Sequence, residues 1–412
     1  MEFGLPSTMK AQYLESFNTP YVFRRDVPLP ILSSDHPHDV LVKVDAASYC
    51  HTDAVLSSGA MSPNPPVFPH VGSHEFAGTV VSLPEDPSHH GLKVGDRVGV
   101  PGRSFHPCGS CFECSSSPKP NSTSDQNPKK PSNEHNSNTD EQHPNHPDPY
   151  TDPPGYSVYC PYSSNLGISA PGGFQEYVVV DSRQVTPIPD GLSSVDTAVL
   201  MCAGLTIYAA LKRCDLRQGQ RVGIIGCGGG LGHLGLQFAY HMGLKVVGVD
   251  NAEKPLQLAQ TIADSGRAET QIVDARAQQA ADIRKHLGGE EDDDLKREMG
   301  DMGLDAVIIL PESQRAFDYG VSLLRNHGLC VVVSFPEAGF HVSARDVVFR
   351  DISVVGSLVG SNRTLREMVG FAARHGVRAS VKTFPLSKLN ELVGVYHRGE
   401  GGKLVIDMTL PD

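Results

Sequence analysis

The run RVGIIGCGGGLGHLGLQFAYHMGLKVVGVD (221–250) decides the fold. Val222–Ile225 reads as a buried strand, Leu231–Met242 as an amphipathic helix and Lys245–Val249 as a second strand, so the segment is a βαβ unit. Gly226, Gly228, Gly229, Gly230, Leu231 and Gly232 fill the turn between strand and helix. Glycines there let the backbone turn sharply and approach a pyrophosphate, whose charge is met by the N–H groups and dipole of the helix N-terminus. Asp250 closes the second strand, where a carboxylate accepts both ribose hydroxyl protons and repels a 2′-phosphate. The cofactor expected is NAD rather than NADP.

The alternation continues outward. Lys254–Asp264 reads as a helix, 306–310 and 329–335 as strands separated by a helix over 312–325, and 352–359 as a further strand. A helix over 362–375 and a hairpin-like stretch ending at 405–408 follow. Upstream, VDTAVLMCAGLTIYAALKRC (195–214) reads as helix with a boundary near Gly204. Such alternation predicts a parallel sheet covered on both faces. Earlier the period is two: DVLVKVDAA (39–47), two β runs over 76–101 turning at Gly95-Asp96, and GGFQEYVVVDSRQVTPIP (172–189) predict strands. Pro20, Pro28, Pro30 and Pro37 break this region into the pieces of an irregular β barrel.

Composition narrows the function. With 412 residues the chain is long enough for two cores. Its 35 Lys+Arg against 47 Asp+Glu argue against nucleic acid or an anionic membrane as main partner. No run approaches the roughly 18 apolar residues of a membrane span, and the start lacks a signal-peptide pattern, so the cytoplasm is the expected compartment. Between Ser115 and Gly155 there is no Ala, Val, Ile, Leu, Met or Phe. That predicts a disordered surface loop at about 115–157, with His135, His143 and His146 solvated. The acidic run 290–298 reads as a solvated helix or loop.

Nine cysteines are too few for a disulfide framework in a chain of this length, and clustered ones point to metal. Cys50, His74 and Cys202 supply the Cys₂His set of a catalytic zinc with an open position. Taken singly, each reads as core filler; Thr52, Asp53 and Glu75 beside them weigh against that. Bound zinc is a Lewis acid that lowers the pKa of an alcohol. Cys108-x₂-Cys111-x₂-Cys114 is a tight thiolate cluster whose fourth ligand is expected from Cys160, the only nearby cysteine. The polar stretch then loops out between ligands three and four, at an entropic cost that grows only logarithmically with its length. Cys214, Cys227 and Cys330 are left as small hydrophobes.

Ten stretches together resemble one family: SYCHTD (48–53), GSHEFAGTVV (72–81), GDRVGV (95–100), CGSCFEC (108–114), GGFQEYVVVD (172–181), CAGLTIYAAL (202–211), GCGGGLGHLGLQFA (226–239), VGVD (247–250), GSLVG (356–360) and GGKLVIDM (401–408). They are similar to zinc-dependent alcohol dehydrogenases of the medium-chain dehydrogenase/reductase superfamily, several to its tetramer-forming branch. The resemblance implies an α/β plus β fold. A GroES-like β catalytic domain would cover 1–201, a Rossmann coenzyme domain with a doubly wound parallel sheet 202–344, and a segment over 345–412 would complete the first. It implies reversible oxidation of a primary alcohol to an aldehyde, with hydride passing from a zinc-bound alkoxide to NAD in a homo-oligomer, tetramer or dimer. Cys50, His74 and Cys202 would hold catalytic zinc, with Glu75 an alternate or near ligand and Asp53 orienting His74. Thr52 would take the alcohol proton. His51 would sit by the cofactor pyrophosphate, Thr206 near the nicotinamide, Asp250 on the adenosine ribose, and Phe335 and Val359 also along the cofactor. Cys108, Cys111, Cys114 and Cys160 would hold structural zinc.

Departures from the family pattern bear on detail. The insertion before Cys160 is absent from typical members, and Val55 stands where many carry a proton-releasing histidine. Lys254 falls one residue before the usual ribose-binding lysine, and Lys403 replaces an arginine near the pyrophosphate. The chain has no Trp, where members specific for very small alcohols line the pocket with tryptophans. Met61 and Arg103 lie near those positions, so a roomier pocket for longer or aromatic primary alcohols is expected, with an anion site if Arg103 faces inward rather than solvent. Two alternatives stand beside this: a related polyol or aryl-alcohol dehydrogenase, and a non-catalytic zinc-binding interaction protein.

Overall fold

The computed structural model describes residues 4–84, 91–115, 155–266, 270–287 and 303–412. Most of the polar stretch, with its three histidines, and the acidic run 290–298 lie outside the described residues.

Among the described residues the parallel sheet has six strands in the order Thr270–Asp274, Lys245–Asp250, Arg221–Ile225, Leu304–Ile309, Leu324–Val332, Ser353–Gly356. Every neighbouring pair is parallel. Chain order therefore reverses between Arg221–Ile225 and Leu304–Ile309, and in doubly wound sheets ligands bind outside the carboxyl ends of the strands at that switch point. Gly226 follows one of these two strands, and Leu310, Pro311 and Glu312 follow the other. Val222, Ile224, Ala306, Ile308 and Val331 are fully buried, as a sheet covered on both faces requires.

The second sheet is built on Asp39–Tyr49, an 11-residue strand that pairs antiparallel with Glu75–Ser82, Tyr177–Asp181 and the chain's last strand, Lys403–Asp407. Arg97–Pro101 and Thr186–Pro187 extend it. The expected hairpin at the C-terminus is instead a crossover. Val381–Phe384 runs parallel to Lys403–Asp407, and the helix Leu389–His397, buried through Leu389, Leu392 and Val395, makes the connection that parallel strands need.

Helix 194–213 joins the two sheets. Ser193 caps it by accepting from the Asp196 N–H at 3.0 Å, and the Asp196 carboxylate accepts in return from the Ser193 N–H at 3.4 Å. The helix passes through a π segment at Leu200–Gly204 before resuming as Leu205–Arg213. The expected boundary near Gly204 marks that change of pitch, not an end. By length and composition this helix could cross a membrane, contrary to the sequence reading, but 72% of its 18-residue apolar window is buried in the fold. Its apolar residues share one core with Ala46 and Ala77 of the antiparallel sheet and Ile224 and Ala306 of the parallel one.

Two expected domain limits shift accordingly. A limit at 201/202 would cut this continuous helix. One at 344/345 would separate Ser353–Gly356 from the sheet it completes beside Leu324–Val332.

Candidate active site

Cys50 ends the long strand and caps the short helix His51–Ser57 in an extended conformation, φ −122° and ψ 163°. The Asp53 carboxylate accepts from the Cys50 N–H at 2.8 Å with one oxygen and from the Ser73 N–H at 2.9 Å with the other. Ser73, at φ 71° in the left-handed region, in turn donates its hydroxyl to the Ser48 carbonyl at 3.0 Å. One buried carboxylate therefore fixes both turns that carry Cys50 and His74. Its role differs from the one expected. Asp53 Oδ2 is 3.9 Å from His74 Nδ1, beyond a hydrogen bond, and the buried Nδ1 has no hydrogen-bond partner among the described residues.

Cys202 comes from the π segment, whose wider turn presents its side chain differently from a regular helix; such segments recur at functional sites. The two sulfurs and a His74 ring nitrogen lie within 4.8 Å of one another. A buried set of two thiols and one imidazole matches the soft Cys₂His donor set of zinc. The Cys50 thiol is drawn well below its ordinary pKa, first by the Cys202 hydrogen bond, while that bond pushes the Cys202 thiol well above. Burial lowers the His74 pKa, yet the Cys50 sulfur with Asp53 and Glu75 outweighs it and raises the value to about 9. This concentration of negative charge suits a dication. Thr52 places its hydroxyl 4.0 Å from the Cys50 sulfur.

Lys403 turns its ammonium away from the glycine turn. Its ammonium is buried, paired with Glu75, and donates to the Tyr49 carbonyl at 3.0 Å. Glu75 is fully buried and offers its other oxygen to the Ala203 N–H at 3.4 Å. An isolated carboxylate could not stay ionised there; burial, reinforced by the Cys50 sulfur, pushes its pKa up to about 7 even though Lys403 opposes the rise. Glu75 is thus committed behind the ligands. Only the aliphatic stem of Lys403 reaches the glycine turn: its Cδ would lie 3.1 Å from a Cβ on Gly230.

The glycine turn itself is tightly determined. Gly226 has φ +86°, and a Cβ on Gly228 would lie 1.9 Å from the Pro255 carbonyl oxygen, so neither position accepts another residue without rebuilding. Asp250 accepts from the Gly228 N–H at 3.0 Å. His233, in the first turn of helix Gly232–His241, joins the Gly229 carbonyl at 2.8 Å and accepts from the Ser380 N–H at 3.1 Å. Nδ1 therefore carries the proton, and burial holds the ring pKa down at about 4. The backbone cradle that a dinucleotide needs is present. Thr206 is buried on the helix after the π segment, Phe335 is exposed, and Val359 has φ 36°. Lys254 pairs with Glu400 at 3.4 Å across the surface instead of facing Asp250.

The sequence reading missed two partners of His51. Its Nδ1 lies 2.6 Å from the Tyr396 hydroxyl and its Nε2 3.5 Å from a Glu312 carboxylate oxygen. Glu312 carried one signal, its place just after the strand Leu304–Ile309. Tyr396, on the crossover helix, carried none.

Cys108, Cys111, Cys114 and Cys160 bring their sulfurs within 4.8 Å of one another, and no disulfide joins them. The N–H groups of Cys108 and Cys111 point at the sulfurs of Cys160 and Cys108, at 3.4 and 3.3 Å. Backbone N–H groups aimed at thiolates are what a Cys₄ zinc site needs. Arg103, half-buried, donates from Nε to the Val158 carbonyl at 2.8 Å and anchors the segment leading to Cys160.

Comparison with known proteins agrees with this geometry. Residues 36–127 match the alcohol dehydrogenase GroES-like domain family and residues 230–374 the zinc-binding dehydrogenase family. An alcohol dehydrogenase of Geobacillus stearothermophilus is 32% identical over 367 residues, 89% of each chain. One from Moraxella sp. (strain TAE123) is 30% identical over 98% of this chain and 100% of its own. The structure of the alcohol dehydrogenase from the archaeon Aeropyrum pernix superposes with a TM-score of 0.73 at 26% identity, covering 97% of this chain and 99% of that one. With its parallel dinucleotide-type sheet, GroES-like sheet and buried Cys₂His cluster, the chain belongs to the zinc-dependent alcohol dehydrogenases of the medium-chain dehydrogenase/reductase superfamily.

Proposed function

We propose that the chain reversibly oxidises a primary alcohol to an aldehyde with NAD as hydride acceptor. The observation that carries this is the convergence of Cys50, His74 and Cys202, with the Thr52 hydroxyl beside the Cys50 sulfur. When bound there, zinc supplies the Lewis acidity that eases loss of the alcohol proton. Thr52 accepts that proton from the substrate oxygen and passes it on. Asp53 holds the two ligand-bearing turns, and the Glu75–Lys403 pair closes the floor behind them. The glycine turn and Asp250 hold the adenosine half of NAD, with Thr206 near the nicotinamide and Phe335 and Val359 along the cofactor, while Cys108, Cys111, Cys114 and Cys160 hold a second, structural zinc. Cys50, Thr52 and His74 come from the N-terminal part and Cys202 from the helix that joins the two sheets, while the C-terminal segment beyond Ser353–Gly356 supplies Lys403 behind them.

A panel of alcohols assayed by NADH formation tests the reaction. Longer or aromatic primary alcohols should exceed ethanol in kcat/KM, because no tryptophan narrows the pocket; ethanol as the best substrate would contradict the roomier pocket. Replacing Asp250 with Ala should lower the preference for NAD over NADP about tenfold, roughly 1.4 kcal/mol, read as the ratio of the two kcat/KM values. An unchanged ratio would remove Asp250 from the ribose.

The nine cysteines are all free, which supports a cytoplasmic protein. A homo-oligomer is supported by the outer edge of Ser353–Gly356, which has no strand beyond it among the described residues, and by Val348 and Phe349 nearby, 70% and 80% exposed. Phe349→Glu should shift the mass seen by light scattering toward a smaller species.

A further inference from the structure

We propose that Glu312 is a cofactor-displaceable latch: it holds His51 across the cleft, and the dinucleotide's pyrophosphate must take His51 from it to bind. This rests on the NAD reading above. His51 and Tyr396 belong to the antiparallel-sheet half, His51 on the helix that follows Cys50 and Tyr396 on the crossover helix Leu389–His397. Glu312 comes from the other half, at the carboxyl end of Leu304–Ile309, one of the two strands that form the switch point. Its neighbour Pro311 packs on the glycine turn, with Cγ 3.1 Å from a Cβ built on Gly226. Glu312 therefore stands on the rim of the place where a pyrophosphate settles on the helix N-terminus.

The contact is poised to exchange. The Tyr396 hydroxyl fixes the His51 ring at 2.6 Å on Nδ1, which leaves Nε2 facing the cleft, 3.5 Å from the Glu312 carboxylate. That second contact is long and half solvated, with 55% of the His51 side chain and 37% of Glu312 exposed, so it is weak. A phosphate oxygen is the same kind of acceptor as a carboxylate, and the two anions cannot share one donor without repulsion. Lys403 keeps its ammonium on Glu75. His51 is then the side chain left to meet the pyrophosphate from the catalytic half, and Glu312 sets how freely it can do so.

The test is nucleotide affinity. The chain has no Trp, so enhancement of NADH fluorescence reads binding without interference. Glu312→Gln, which keeps the side chain's shape, should tighten NADH about three- to fivefold at low salt. ADP-ribose, which carries the pyrophosphate without the nicotinamide, should gain by the same factor in competition, and adenosine should not gain. In a His51→Gln background the gain should largely vanish. Glu312→Gln that binds NADH equally or more weakly, or a gain undiminished in the His51→Gln background, would overturn the latch while leaving the NAD reading intact. Failure of the unaltered protein to bind NADH at all would instead overturn the NAD reading beneath it.

Discussion

Cys50→Ser is expected to remove one of two zincs per chain and to lower kcat/KM by about 10³-fold or more, some 4 kcal/mol of transition-state stabilisation. Serine is close in size to cysteine but is not a soft anionic ligand at neutral pH, and the remaining Cys202 and His74 are one donor short of the set zinc requires. The fold should survive. Cys50 holds its helix through a backbone N–H to Asp53, at 2.8 Å, and that bond does not involve the sulfur. Metal analysis should fall from two zincs to one, because the four-cysteine cluster is built on separate turns. The thermal transition should move by only a few degrees. Turnover retained with one zinc per chain would place the chemistry elsewhere.

Lys403→Met should have the largest effect on stability. It removes the ammonium paired with Glu75, which is fully buried, and leaves that carboxylate the Ala203 N–H as its remaining hydrogen-bond donor among the described residues. Breaking a buried pair from one side costs about 3–5 kcal/mol. The loss should be read as a lower denaturant midpoint with little change in slope. Replacing Glu75 with Gln as well should recover much of it, since a neutral amide tolerates burial better than an unpaired charge. A Lys403→Met protein as stable as the original would mean that the pair contributes nothing, and the floor of the site would need another account.

Local physics was readable in advance. The βαβ unit at 221–250 carries its own periodicity and its glycines, and the strand Arg221–Ile225, helix Gly232–His241 and strand Lys245–Asp250 lie within a residue or so of where the pattern puts them. The helices Glu253–Asp264 and Asn362–His375 are equally close. What the pattern missed depends on partners distant in sequence. Val381–Phe384 and Lys403–Asp407 look like a hairpin because two short apolar runs lie near each other, and only the burial of the intervening helix makes them parallel. Whether Ser353–Gly356 belongs to one sheet or the other is decided by its pairing with Leu324–Val332, which no local signal encodes.

The site divides in the same way. Residue chemistry nominates Cys50, His74, Cys202 and the four-cysteine cluster, because few other combinations of thiols and imidazole gather at such spacings. It cannot say what each supporting charge touches. Lys403, by position, belonged with the cofactor; the buried Glu75 claims it through a direct ion pair. Asp53 was expected on His74, and its stronger obligation is to two backbone N–H groups. Both outcomes follow from burial, which makes an unpaired charge or an unmet N–H costly and which appears only once the chain is folded.

The most direct measurement of the central claim is isotopic. A primary alcohol carrying deuterium on its hydroxyl-bearing carbon should transfer that deuterium to the nicotinamide ring, seen by NMR of the reduced cofactor, with an equal yield of aldehyde. Aldehyde formed without label in the cofactor, or reduced cofactor carrying only solvent hydrogen, would contradict direct hydride transfer between alcohol and NAD.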